Sequence, residues 1–457
     1  MTTGSTPVAP QRLRLDTGAP VTLGRMLGKP AGEGTIFEVG SNPAWVAKIF
    51  HPTLSDLRTK LGKVSAMTQS APPGATQPNG FVVLTWPLHT VADERGPIGY
   101  VMPRVDTATA VEIHTMSNPS DRLDPPPNAP QWIRSATWGH LLNVAANLCL
   151  AVEVVHRVDA VIGDFQERNI LVANTTEVTL VDCDSMQFTD RSGQRFLCGV
   201  GRPEFTAPEL AGVDLRVTPR EKPSDLFALA VHIHLLLMAG NHPFMRGTWV
   251  GEGDQPDAMS LAKTAHWAGG PSSLLHTHPL APLISFLPND IQQLFGRAFT
   301  IGVHDPSARP TASEWRRALS GIRLTSCPRL AHEIPIGCAV CPWCSVDDER
   351  QARRLRSGAT GPQRARTRPT TDPVPLAQGS STGRVSTTGR VPQKQHENPF
   401  GVSTNVLVAA IAGVVLIVVA LTIFIVWALL SGATTFGASP PGGSVAGWWS
   451  VHGNGIE

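Results

Sequence analysis

Three oxygen-bearing side chains in one short stretch have the chemistry to hold a magnesium ion. Asp164 and Asn169 stand five positions apart in IGDFQERNILV, directly before the apolar run Ile170-Leu171-Val172. A second apolar run, from Val178 to Val181, delivers Asp182. Short apolar runs bounded by polar turns are strands, so the three side chains come to one edge of a sheet. Magnesium favours one or two carboxylates completed by phosphate oxygens and water. Upstream, Lys48 closes the string WVAK, a cation placed to neutralise nucleotide phosphates. A second chemistry sits near residue 340. Cys341-Pro-Trp-Cys344 is a tight C-x-x-C knuckle, and Cys327 with His332 completes a Cys₃His set suited to tetrahedral zinc. Cys338 competes as a ligand, because Cys338-x-x-Cys341 is an equally short pair. A redox dithiol is the other functional reading, but no thioredoxin-like βαβ pattern surrounds the knuckle.

The elements around these residues form two regions. From Val21 onwards VTLGRMLG, TIFEVG, AWVAKIF, FVVLTW and GYVMPRV read as five strands. One helix interrupts them, with Leu54, Leu57, Leu61, Val64 and Met67 at helical spacing. Beyond a Pro-rich loop the chain turns helical. Residues 138 to 157, Ser224 to Met238 and Asp290 to Phe299 are apolar helices, and Thr311 with Glu314 makes a capping box for a last one. His232 and His234 stand at i and i+2 on different faces, so they are packing or surface residues rather than a metal pair.

The chain resembles the eukaryotic-like protein kinases over roughly residues 20 to 320. WVAK resembles the VAIK motif, and Asp164 to Asn169 the catalytic loop. Asp182 sits as in the magnesium-binding loop, and Thr206-Ala207-Pro208-Glu209 resembles the APE motif. Asp225 opens the central helix as in those kinases, and Arg309 stands where the partner of the APE glutamate does. GDFQERNILV, VDCDSMQF, FTAPEL and the WP…GYVMPRV pair look like an atypical bacterial branch of the YegI type, several members of which carry an added CPWC segment. The resemblance implies an α+β, two-lobed kinase-like fold with ATP and Mg²⁺. Asp164 would be the base, Lys48 the phosphate cation, and Asn169 and Asp182 the metal ligands. Gly28, Gly32 and Gly34 would form an irregular phosphate-covering loop. Several usual features are replaced. Ile162-Gly163 stands for His-Arg, Gln166 for the supporting Lys, Arg202 for the loop Thr and Asp184 for the Gly after the metal ligand. Between Lys48 and Asp93 the only acid is Asp56, too early to be a helix partner for Lys48. Without the Arg before Asp164 a phosphorylated loop has no basic dock there, so activation by loop phosphorylation is not expected. A nucleotide-binding pseudokinase scaffold is the alternative function.

Composition bounds the rest. The chain has 457 residues, 40 of them Pro and 42 Gly, and its net charge of +2 gives no reason to expect nucleic acid. Seven cysteines, four of them clustered, indicate a reduced compartment with a metal site. Residues 1 to 30 lack the apolar stretch of a secretory signal. The expected organisation is a flexible start (1–20), an N-lobe (21–105), a C-lobe (106–322) and a zinc-knuckle segment (323–346). A disordered basic linker (347–405) follows, then a transmembrane helix (406–430) and a short tail (431–457). Val406 to Leu430 is 25 uncharged, mostly apolar residues, long enough to span a bilayer. Arg and Lys crowd the linker and are absent after residue 430, which places the kinase region in the cytoplasm and the tail outside. Protein substrates and one membrane contact are the expected partners.

Overall fold

The computed structural model describes residues 12–28 and 32–359. The transmembrane span, the tail and most of the basic linker expected from the sequence lie outside the described residues.

The first region is a seven-stranded antiparallel sheet. Its strands are β1 (Leu13–Leu15), β2 (Pro20–Val21), β3 (Leu23–Leu27), β4 (Gly34–Val39), β5 (Trp45–Phe50), β6 (His89–Asp93) and β7 (Gly96–Pro103), in the order β2-β1-β6-β7-β5-β4-β3. The helix α1 (Leu57–Thr68) lies between β5 and β6 in sequence. Alternation along the strands sorts the apolar side chains onto two faces. Ala47, Val91 and Val101 pack on one face, while Val46, Phe50, Tyr100 and Met102 pack on the other against Val64, Leu57 and Leu61 of α1. Lys48 shares the second face with Val46 and Phe50, so it points toward the helix side.

Two expectations are revised here. Leu13–Leu15 forms a strand paired with β6, where the sequence suggested a frayed start. Its Leu13 is buried on the first face of the sheet, and that burial offsets the cost of ordering the segment. FVVLTW is not a sheet strand. Val82 and Leu84 make only isolated bridges, to Thr76 and to Leu180. The segment crosses into the second region, where Val83, Leu84 and Trp86 are buried in the large core and the Trp86 indole donates to the Met67 carbonyl at 2.9 Å.

The second region is mainly helical. It contains β8 (Val111–Glu112), α2 (Ile113–Ser117), α3 (Pro119–Leu123), α4 (Trp138–His156), β9 (Ile170–Val172), β10 (Val178–Leu180), β11 (Phe188–Thr189), β12 (Arg195–Phe196) and α5 (Lys222–Leu237). It continues through β13 (Gly247–Trp249), α6 (Ala258–Lys263), β14 (Leu275–Thr277), α7 (Asn289–Gly296), a π-helical turn (Arg297–Ile301), α8 (Gly302–His304) and α9 (Ala312–Gly321). α4 and α5 are apolar nearly all round and run through the core, as fully buried helices must. α4 is also long and apolar enough to cross a membrane, but most of it is buried inside the protein. α9 begins at the expected capping box, with Thr311 accepting from the Glu314 amide and Glu314 accepting from the Thr311 amide. A hairpin, β15 (Leu324–Ser326) with β16 (Glu333–Pro335), and the helix α10 (Pro342–Ala359) close the described chain.

Candidate active site

β9 and β10 pair with Ile170 opposite Leu180, and the Val181 amide donates to the Asn169 carbonyl at 3.0 Å. That pairing sets Asn169 and Asp182 side by side at one end of the hairpin. Asn169 also turns its amide back onto the Asp164 loop, donating to the Asp164 carbonyl at 3.0 Å and to its carboxylate at 3.3 Å. Gln166 donates to the same carboxylate oxygen at 2.7 Å. Asp182 adopts a left-handed backbone, φ 59°, a conformation that Asp tolerates better than most residues.

Lys48 reaches this end of the hairpin from the sheet. Its ammonium lies 2.9 Å from Asp182 and 2.7 Å from Asp184. The Tyr100 hydroxyl, on the strand position opposite Lys48, donates to Asp184 at 2.7 Å. Glu33, from the β3–β4 connection, stands 4.0 Å from Lys48 and pairs with Lys60 at 2.8 Å. Burial by itself would lower the Lys48 pKa, but Asp184 and Asp182 outweigh it and hold the ammonium above its usual range. Burial opposes ionisation of Asp184, yet Lys48 and the Tyr100 hydroxyl keep its carboxyl below the ordinary value. Asp182 moves the other way, because burial raises it further than Lys48 lowers it. Lys63 of α1 is 6 % exposed, and burial brings its pKa down to about 8. The buried Asp184 and the partly exposed Asp182 beside Lys48, with Asn169 adjoining, make an oxygen-rich and electronegative cluster, a donor set that fits magnesium.

The backbone of the Asp164 loop is held from below. Asp225, at the start of α5, accepts from the amides of Ile162 and Gly163 at 2.8 and 3.0 Å and contacts His156 at 2.9 Å. Gly163 has φ +71°, and a Cβ there would come within 2.8 Å of the Cys198 sulfur. That position therefore excludes the side chain that the His-Arg motif would carry. Arg309 meets Glu209 in a two-pronged ion pair, 2.7 Å at each nitrogen, as the kinase resemblance implied.

The glycines behave differently from one another. Gly28 takes φ +70° at the exit of β3, and Gly32 has open space around its Cα. Gly34 is required by the sheet, because a Cβ would sit 2.5 Å from the Ile49 carbonyl oxygen. Its smallness serves strand pairing and needs no phosphate to explain it. His232 and His234 are both buried, hydrogen-bonded to the carbonyls of Phe165 and Asn241 at 2.9 and 2.8 Å. They are packing residues.

The second cluster also forms. The ligand atoms of Cys327, His332, Cys341 and Cys344 all lie within 4.8 Å of one another. Cys327 and Cys344 have their sulfurs 3.6 Å apart, and His332 Nδ1 is 3.6 Å from the sulfurs of Cys341 and Cys344. A tetrahedron with zinc–sulfur bonds of about 2.3 Å has edges of about 3.8 Å, so the set fits zinc. Cys338 donates to the Val340 carbonyl at 3.1 Å and is not among the four convergent ligand atoms. No role was legible in the sequence for Tyr100, Glu33 or Lys63. Tyr100 lies within the GYVMPRV string, and burial of Lys63 on α1 is a signal that a helical projection can show.

No protein-family model matches the chain. It is 32 % identical over 342 residues to "Protein kinase YegI" of Escherichia coli strain K12, and equally to the protein of that name from Escherichia coli O157:H7. Each match covers 73 % of this chain and 50 % of the relative, so the chain spans about half the length of the curated relatives it matches. Identity on that scale, joined to a sheet lysine facing the Asp164–Asn169–Asp182 end of a hairpin, makes the matched region similar to the YegI-type bacterial kinases.

Proposed function

We propose that the chain is a membrane-anchored protein kinase that transfers the γ-phosphate of ATP to Ser or Thr hydroxyls of cytoplasmic proteins. The observation that carries this reading is Lys48 in contact with Asp182 at 2.9 Å, beside an Asn169 bonded to the Asp164 loop. Asp164 orients the acceptor hydroxyl and takes its proton as that oxygen attacks the γ-phosphorus and the bond to ADP breaks. Lys48 holds the phosphates of the departing nucleotide. Asn169 and Asp182 would hold Mg²⁺, which when bound neutralises phosphate charge. Cys327, His332, Cys341 and Cys344 would hold a structural zinc.

The purified full-length chain is incubated with labelled ATP, Mg²⁺ and a mixed acceptor, beside Asp164→Asn and Asp182→Asn. Transfer should fall by about a hundredfold or more in both variants. Equal transfer in all three samples, or none in any, sinks the claim. Gln166 in place of the supporting lysine, bonded to Asp164 at 2.7 Å, favours a second reading as a nucleotide-binding scaffold. Nucleotide-dependent thermal stabilisation without transfer would select it. The anchor is Val406 to Leu430, with the kinase region inside by its Arg and Lys bias. Release of the chain from membranes by an alkaline wash would refute the anchor.

A further inference from the structure

We propose that Asp184 is the positioning residue that aims Lys48, in the part that an acid on the small-lobe helix would otherwise play. Three carboxylates approach the Lys48 ammonium, and their surroundings differ. The side chains of Asp182 and Glu33 are 39 % and 42 % exposed, while that of Asp184 is 3 % exposed. Asp182 is the carboxylate offered to a metal ion, so it is not free to anchor the lysine during turnover. Glu33 is already engaged by Lys60. Asp184 contacts Lys48 with both oxygens, at 2.7 and 3.0 Å, and is itself fixed by the hydroxyl of Tyr100, the single tyrosine of the chain. Tyr100 sits opposite Lys48 in the sheet register, so the lysine, the phenol and the carboxylate form one rigid set.

The helix shows the complementary change. α1 has no Asp or Glu along its length, and the charged residue that it buries toward the site is Lys63. Lys63 lies close enough to Asp184 and Asp182 to feel their charge. The absent helix acid and the Asp at the usual Gly position are therefore one paired exchange. The acid that meets Lys48 lies in the loop, and the helix carries Lys63 and no acid. A second consequence follows for control: an anchor within the metal-binding loop makes the aim of Lys48 independent of where α1 sits.

This inference rests on the kinase reading above, and the test separates the two. The full-length chain is compared with Asp184→Asn, Asp184→Gly, Lys63→Glu and the double variant Asp184→Gly/Lys63→Glu, with Asp164→Asn as the control for transfer. kcat/KM for MgATP and affinity for a non-hydrolysable ATP analogue are measured for each. Asp184→Asn and Asp184→Gly should lose about a hundredfold in kcat/KM and weaken analogue binding. Lys63→Glu alone should also lose, and the double variant should recover at least about tenfold over Asp184→Gly. Wild-type behaviour of Asp184→Asn overturns the proposal, as does a folded double variant no better than Asp184→Gly. If the double variant does not fold, Asp184→Asn decides. If the wild type shows no Asp164-dependent transfer, the kinase reading fails and the analogue affinities alone judge the anchor. A wild type that binds no nucleotide overturns both.

Discussion

Arg220 is a cation buried to 3 % exposure, and no carboxylate pairs with it among the described residues. Its guanidinium donates instead to the carbonyls of Gly163, just before Asp164, and of Val200 in the segment leading to Glu209. Gln187 fixes its backbone on both sides, accepting from the Arg220 amide at 2.8 Å and donating to its carbonyl at 2.7 Å. One side chain therefore ties the Asp164 loop to the segment that phosphorylation orders in many kinases, and it needs no phosphate to do so. Hydrogen bonds from a charged donor are worth about 1.5–3 kcal/mol each. Arg220→Gln should therefore lower the unfolding free energy by about 3 kcal/mol in chemical denaturation, and speed amide exchange around residues 196 to 202. Wild-type exchange there would remove the tie.

At the scale of elements, the β15–β16 hairpin and α10 form a small unit with almost no apolar core of its own. Its apolar cluster is Cys327, Ile334 and Cys344, with Cys338, Cys341 and Trp343 packed beside them. So small a cluster needs a staple, and the four convergent ligands are in place to provide one. The unit docks on the start of α4. The Trp343 ring lies 6.3 Å from Trp138 and 5.7 Å from Phe286, and Glu333 accepts from the Gly139 amide at 2.7 Å, an anion at a helix N-terminus. Cys344→Ser should lose the metal, free Trp343 and lower the melting temperature by a few degrees, for about 2 kcal/mol in a domain of this size. Tryptophan fluorescence and metal content check it, and unchanged zinc in the variant would be fatal to the site.

For the molecule as a whole, three histidines buried in the helical region make stability depend on pH below neutrality. Burial lowers His232 and His242 to about 4 and His234 to about 3. Each is held neutral against ring or carbonyl partners, His232 with Phe205 stacked at 4.4 Å and His242 on the Glu204 carbonyl at 3.0 Å. Between their unfolded pKa near 6.5 and these folded values the unfolded chain binds more protons, so stability falls as pH falls. Each histidine contributes about 1.4 kcal/mol per pH unit within that window. The unfolding midpoint in denaturant should drop steeply from pH 6.5 to 4.5, and His234→Gln should flatten the slope. A level profile would show that the three are not buried neutral.

The order of Lys48, Asp164, Asn169, Asp182, Glu209, Asp225 and Arg309 was legible in the sequence, and so were the long helices and the Cys₃His set. The order follows from resemblance to kinase motifs, and the helices and Cys₃His set from short-range information: apolar periodicity, a capping box, ligand spacing. The Arg309–Glu209 pair was legible too, because both ends belong to recognisable strings. Which acid meets Lys48 was not. Asp184 lies 136 positions away, and its approach depends on the left-handed turn at Asp182 and on Tyr100 across the sheet. The same holds for Arg220, whose carbonyl partners have no sequence signature, and for Cys338, bonded locally to Val340 and not among the four convergent ligand atoms. FVVLTW has strand-like residues, yet its burial against Met67 and Leu180 keeps it out of the sheet. Residue order thus determined which chemical groups this chain possesses. Only tertiary packing decided which of them face one another, because a side chain's partners are chosen by burial and long-range contact rather than by its neighbours in sequence.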